Sequence, residues 1–308
     1  MKGGRNRRGR AIDGILLLDK SIGFSSNTAL QRAKQLFNAR KAGHTGNLDR
    51  PASGLLPICF GEATKLSAFL LDADKRYQAV FRLGVVTTTG DAEGGVVATH
   101  EVPSFKLTQI EEVLRRFTGP INQIPPMFSA IKYQGQRLYQ LAHRGISVER
   151  HARSVTIHEL KLIDYNGGDR HIEVYVACSK GTYIRTLAED IGSALGCGAH
   201  ISALRRIGVG PYAIHQAIDL PGLEALEQEG VAPLDARLLS TDSVLINKPA
   251  VSLSNAVSYY LCQGHAVMVP HAPSNGLVRI YNAERQFLGV GEVLDDGRIA
   301  PRRLMKKV

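Results

Sequence analysis

What most limits the fold of this chain is a set of strand-length segments that alternate with period two but do not take turns with helices. From Arg76 to Thr87, Tyr77, Ala79, Phe81 and Leu83 fall on one face of a strand. In His171–Cys178, Ile172, Val174, Val176 and Cys178 alternate with Glu173, Tyr175 and Ala177. Gly14–Lys20 reads as a buried strand, and 154–165, Ala199–Val209 and 96–102 as further strands. Helices fall irregularly among them. One is capped by Ser26 or Asn27 and runs to about Arg40, with Leu30, Ala33, Leu36 and Phe37 on one face. Another opens on a capping box, Thr108-Gln109-Ile110-Glu111, and stops at Gly119. A short basic one spans 134–144, and a fourth spans about 182–195. Without a regular βαβ rhythm, the pattern predicts an α+β fold and not a doubly wound parallel sheet.

The stretch 41–56 is Gly-rich and polar and reads as a loop, and 231–249 reads as an irregular linker. Beyond it, a helix near 255–263 and strands near 277–281, 287–293 and 298–304 form a small β-rich domain, with Asp296-Gly297 as a hairpin turn. The boundaries expected are a flexible basic arm over 1–10, a catalytic domain over 11–247, and the small domain over 248–308. No apolar run approaches the roughly 18 residues of a membrane span, and the short run Ile15–Leu18 ends at Asp19, so the basic start does not read as a signal peptide. The 38 Lys+Arg against 28 Asp+Glu give a net charge of +10, which favours a polyanionic partner, nucleic acid first. Cys59, Cys178, Cys197 and Cys262 form no C-x-x-C pair and read as buried free thiols of a cytoplasmic protein, not as a metal site or disulfide framework. No G-x-G-x-x-G follows a strand and no phosphate-binding P-loop is present, so no nucleotide cofactor is expected.

Three places could carry chemistry. Between Gly43 and Ile58, three Gly, two Pro, His44 and Asp49 crowd sixteen residues. Asp49 there is either a nucleophile or base, or the anchor of an Asx-turn. Arg185, in Ser179-Lys180-Gly181-Thr182-Tyr183-Ile184-Arg185, falls in the first turn of a helix, where the dipole penalises a cation by roughly 0.3–1 kcal/mol. It is either a solvated surface Arg or has an anionic partner. Tyr77 is either a core ring or a platform for a base. Phe128, Tyr133 and Tyr139 interleave with Lys132, Arg137 and Arg144, a mixture suited to RNA loops, and Arg302, Arg303, Lys306 and Lys307 make the C-terminal end basic.

The stretch Gly43–Ile58 resembles the signature of the bacterial tRNA pseudouridine-55 synthases of the TruB type. Leu17-Leu18-Asp19-Lys20 with Gly23-Phe24-Ser25-Ser26, Gly61–Lys65, Asp74–Tyr77, Pro126–Ala130, Lys180–Arg185 and Gly198–Arg206 match the family in the same order. Arg50 stands where the family has Pro directly after the Asp, with Pro51 following. The resemblance implies a pseudouridine synthase fold with a central, mainly antiparallel sheet and a C-terminal PUA-like domain. It implies isomerisation of uridine 55 in the T-loop of tRNA by a monomer that needs no metal, cofactor or protein partner. Asp49 takes the position of the essential aspartate, paired with Arg185, while Tyr77 stacks on the flipped uracil. His44, Tyr183 and Leu204 line the nucleotide, Lys20 and Lys132 are further substrate-binding candidates, and about 124–150 corresponds to a mobile thumb. Two other readings are a guide-RNA-dependent synthase in a larger particle and an RNA-folding protein impaired at Arg50.

Overall fold

The computed structural model describes residues 9–306. The charged stretch before Gly9, and Lys307 in the basic C-terminal cluster, lie outside the described residues.

Burial on both faces organises the chain around one large mixed sheet. Its order is Ile218–Asp219, Gly14–Lys20, Ala52–Phe60, Ala199–Val209, Lys75–Leu83, His171–Cys178, Arg153–Asn166, Gly119–Gln123. All neighbours are antiparallel except two: Ala199–Val209 runs parallel to Ala52–Phe60, and Ile218–Asp219 runs parallel to Gly14–Lys20. The α+β, mainly antiparallel architecture therefore holds. The Ile184–Ala194 and Leu107–Arg116 helices cover one part of the sheet, where Phe81, Val174, Ile110, Leu187 and Ile191 share a core. The Ser26–Leu36 and Leu220–Glu229 helices cover another, against Leu16, Leu18, Leu56 and Ile58.

A second sheet of five strands runs in the order Ala250–Ser252, Gly276–Tyr281, Phe287–Val293, Arg298–Leu304, Val267–Met268 and has its own core around Val278, Ile280, Leu261 and Ile299. It is not a loosely tethered appendage. Val290 is fully buried in a core it shares with Leu17, Leu55 and Leu66 of the large sheet's domain, and Leu277, Phe287 and Met305 pack against the same cluster. Lys65 Nζ donates to Leu304 O at 2.8 Å, and Lys306 N donates to Glu62 Oε2 at 2.7 Å across the same boundary.

Several elements differ from the sequence expectation. The loop at 41–56 contains a strand, Ala42–His44, and the start of another at Ala52; the strand Ala52–Phe60 is almost wholly buried, so it shows no alternation. The first helix is capped by Ser25, whose Oγ accepts from Thr28 N at 3.0 Å, one residue before the expected cap, and the helix ends at Leu36. The helix expected from Thr108 starts at Leu107, and Gln109 Oε1 accepts from Lys106 N at 2.8 Å, so the box lies two residues earlier. Within 134–144 only Leu138–Ala142 is helical. Gln134 and Gly135 both adopt left-handed φ, 47° and 83°, and turn a tiny hairpin between Lys132–Tyr133 and Gln136–Arg137. The 231–249 segment is not featureless: it holds a helix, Val231–Asp235, and a 3-10 turn, Thr241–Leu245, with Leu234, Val244 and Leu245 buried. Cys59, Cys178 and Cys197 are buried, but Cys262 is exposed, because it ends the Asn255–Cys262 helix on its outer side.

Candidate active site

The sheet order places Ala199–Val209 between the strand that follows the Asp49 loop and the strand that carries Tyr77. Three segments far apart in sequence therefore meet at the middle of the sheet. They open into a cavity of about 620 Å³ lined by Asp49, Tyr77, Tyr183, Arg185, Leu204 and Arg206, together with Phe128, Ser129, Arg137 and Tyr139 of the 124–150 segment.

The Asp49 loop is held at both ends by bonds that do not involve the Arg50 side chain. Ser26 Oγ accepts from Leu48 N at 2.7 Å and lies 3.0 Å from Leu48 O. Ala52 N donates to Asp49 O at 3.1 Å, and Gly23 N donates to Arg50 O at 2.9 Å. Half of the Asp49 side chain is exposed, and its Oδ2 lies 3.2 Å from Arg185 Nη2.

Arg185 is buried at the start of its helix, with only 9% of its side chain exposed. It sits between two carboxylates: Asp49, and Asp91, whose Oδ2 is 3.6 Å from Nη1 and whose side chain is equally buried. Nη1 also donates to Thr89 O at 3.0 Å and Nη2 to Phe128 O at 2.7 Å. Two anions and two carbonyls offset the unfavourable end of the helix dipole. Asp91 is fixed in turn by Thr89 Oγ1 at 2.5 Å and Glu93 N at 3.1 Å. Gly90 lets this turn approach the helix: its φ is +73°, and a Cβ there would meet Glu189 Oε1 at 2.7 Å and Arg185 Cβ at 3.3 Å.

Tyr77 is nearly buried at 9% exposure, and loss of solvent pushes its phenol up to about 12 despite the neighbouring Arg206 charge. It is a neutral ring at pH 7, available for stacking. Tyr183 caps the Arg185 helix, and burial raises its phenol as well. Its peptide is clamped by Gln123, whose Oε1 accepts from Tyr183 N at 3.0 Å and whose Nε2 donates to Tyr183 O at 3.3 Å. His44 is held below the usual imidazole value by burial and then by Arg206, which leaves it neutral at pH 7.

Not all the sequence candidates meet in the cavity. Asp49, Tyr77, Tyr183, Arg185 and Leu204 line it; His44, Lys20 and Lys132 do not. Lys20 is fully buried beside the Asp49 loop, where its Nζ donates to Phe24 O at 2.8 Å and Ser21 O at 3.1 Å. Burial holds its amine down at about 8, against the pull of Asp49. Lys132 is exposed on the small hairpin. Sequence reasoning gave no site role to Asp91, Arg206, Gln123 or Ser26; Ser26 read as a helix cap, and it holds the Asp49 loop instead. Asp91 read only as a turn residue, and no local signal separates that role from the one it has here.

The cavity combines one half-exposed carboxylate, a buried cation beside it, a neutral aromatic ring and apolar walls. That set suits acid, base or nucleophilic chemistry on a flat, uncharged group carried by a polyanion.

A family model described as TruB family pseudouridylate synthase (N terminal domain) matches residues 34–184. Models described as tRNA pseudouridylate synthase B C-terminal domain and Pseudouridine synthase II TruB, C-terminal, match 185–246 and 249–305. The chain is 57% identical over 305 residues to tRNA pseudouridine synthase B of Nitrosococcus oceani, covering 99% of this chain and 98% of that protein. It is 52% identical over 299 residues to the protein of that name from Coxiella burnetii, covering 97% and 96%. Among solved structures, one of a Cbf5-Nop10-Gar1 complex superposes with a TM-score of 0.72 at 25% identity, covering 95% of this chain and 84% of that one. An H/ACA RNP bound to a substrate RNA containing 2'-deoxyuridine gives 0.73 at 21%, covering 99% and 92%, and shares the fold.

Proposed function

The chain belongs to the TruB family of pseudouridylate synthases, and on that footing we propose that Asp49 is the carboxylate with which it isomerises uridine 55 in the T-loop of tRNA. It is an enzyme that converts uridine to pseudouridine in tRNA. The reaction breaks the C1′–N1 bond, turns the base and joins C1′ to C5, with no net change of atoms. The observation that carries the assignment is the ion pair between Asp49 and the buried Arg185, at 3.2 Å in a cavity that also presents Tyr77.

Each residue then has a task. A uridine inside a folded loop must leave its stack before C1′ can be reached, at a cost of a few kcal/mol. Tyr77 offsets part of this by stacking, worth about 1–3 kcal/mol for a base on an aromatic ring. Leu204 and Tyr183 supply apolar wall. His44, neutral and beneath the loop, and Lys20 support the floor, while Lys132 meets the RNA from the 124–150 segment. Arg185 fixes the direction of the Asp49 carboxylate, and Asp91 fixes Arg185. Asp49 acts on the sugar as nucleophile at C1′ or as base.

In this reading residues 11–247 form the catalytic domain and 248–308 the PUA-like RNA-binding domain. The protein works in the cytoplasm as a monomer, without a guide RNA, metal or cofactor. No helix among the described residues is long and apolar enough to cross a membrane. The test is to incubate the purified protein alone with an unmodified tRNA transcript and map pseudouridine by position. Product at position 55 is expected. Product only after a guide RNA is added, or tight binding without product, would overturn the reading in favour of one of the two alternatives.

A further inference from the structure

We infer that Arg206 is a positioning residue of the isomerisation, one whose buried guanidinium locks the Asp49 loop in a single arrangement beside Tyr77. The inference rests on the role proposed above for Asp49.

Arg206 heads the largest fully buried side chains of the protein and is 1% exposed. A cation so placed normally has a carboxylate partner, since burial without one is costly. Among the described residues no carboxylate pairs with it. Its donors go instead to main-chain carbonyls on either side of Asp49. Nε donates to Leu55 O at 2.7 Å and Nη1 to Asn47 O at 3.2 Å. The loop is thus spanned by one rigid, planar group. Nη2 is buried with no partner in hydrogen-bond geometry.

The third side of the guanidinium faces Tyr77. The two residues are directly opposed across the antiparallel ladder, so their side chains share a face of the sheet. Burial loosens the guanidinium's hold on its proton, and the Tyr77 hydroxyl is the neighbour that counters this. On its other side Arg206 is in register with Gly54. A Cβ at Gly54 would stand 2.3 Å from Arg206 O, so the Asp49 strand can pack this closely only with glycine there. Packing alone would be served better by a methionine, an unbranched apolar side chain with no buried charge. What such a residue could not do is hold carbonyls on both sides of Asp49 while setting a charge beside the Tyr77 ring, and a shift of about 1 Å at a reacting group is enough to cost a hundredfold in rate.

The test is a double-mutant cycle of Arg206→Met and Tyr77→Phe, read as single-turnover rate and tRNA affinity, with amide exchange over 45–56. Arg206→Met is expected to slow the chemical step about a hundredfold with Kd within threefold of wild type and faster exchange over 45–56. In the Tyr77→Phe background the same change should cost about tenfold or less, because the contact between Arg206 and the Tyr77 hydroxyl is already gone. Arg206→Lys, which keeps the charge but cannot bridge both carbonyls, should fall between. An unchanged rate, or an equal loss in both backgrounds, overturns the inference. So does failure of both Arg206 variants to fold, which would assign the residue to folding alone. An inactive wild-type protein would instead bring down the functional reading, and the exchange measurement would still report whether Arg206 holds the loop.

Discussion

Arg206 lines the cleft and Lys132 stands on the segment that flanks it, and the two basic residues are built in by opposite means. Arg206 is buried under the site, bound to two carbonyls and fixed by two strand neighbours in register. Lys132 is exposed on a two-residue strand of a hairpin whose turn depends on Gln134 and Gly135. The floor devotes burial and hydrogen bonds to geometry. The 124–150 segment holds only a five-residue helix and the hairpin, and it meets the floor through Phe128 O on Arg185. One region keeps the reacting groups in place; the other keeps charge in solvent, where phosphates can find it. If this division holds, changes to the floor should alter rate and leave affinity, and changes to the flanking segment should do the reverse.

The largest effect is expected at Asp49. Asp49→Asn keeps the shape but can be neither nucleophile nor base, so the single-turnover rate should fall by at least about a thousandfold. Affinity for tRNA, measured by filter binding, should stay within a few-fold. A variant that keeps more than a small percentage of the wild-type rate would break the comparison at its centre.

Next is Arg185→Met. Since Asp49 is half exposed and Asp91 is buried, the uncompensated charge left behind is Asp91's, at about 3–5 kcal/mol for a broken buried pair. Rate should fall about a hundredfold, and denaturant melts should show the stability loss. Adding Asp91→Asn to Arg185→Met should restore stability without restoring rate. Recovery of both would mean that Arg185 only balances charge.

The contrast also explains what could be read from sequence. Alternation made His171–Cys178 and the Lys75–Leu83 strand legible, because each exposes one face more than the other. Ala52–Phe60 is buried on both faces and carries Gly and Pro, so its first five residues read as the end of a loop. The Gly-rich crowding around Asp49 and the misplaced charge of Arg185 were local anomalies, visible without a fold. Asp91 and Arg206 were not. An Asp in a turn and an Arg in a strand both look solvated, and only the packing of the Asp91 turn on the helix brings Asp91 to Arg185, as only the strand order brings Arg206 to Tyr77. The shared core at Val290 was illegible for the same reason: a valine in a strand does not say which of two cores it fills.

A smaller effect tests the flanking segment. Lys132→Ala and Arg144→Ala should each weaken tRNA binding and reduce the slope of log affinity against log salt by roughly 0.7–0.9 for each phosphate left without its cation. The single-turnover rate at saturating tRNA should not change. A slower step at saturation would show that the segment shapes the site as well as recruiting RNA.

The smallest effect returns to the floor, at Lys20. Burial holds this amine at about 8 when folded, against 10.5 ordinarily, although Asp49 pulls the other way. Below pH 8 the folded state carries the full cost of a buried charge. Between about 8 and 10.5 the folded amine is neutral while the unfolded chain still binds the proton, so unfolding takes up a proton and stability rises with pH. The comparison with Lys20→Met isolates this, because thiols and phenols that titrate in the same range are present in both proteins and cancel. The stability of wild type minus that of the variant should therefore rise by about 1–3 kcal/mol from pH 8 to 10.5, read from urea melts at several pH values. A flat difference would mean that the carbonyls of Ser21 and Phe24, with Asp49 nearby, fully replace water around the ammonium. The floor would then hold its cations at no cost, and the contrast with the solvent-exposed segment would be one of position only.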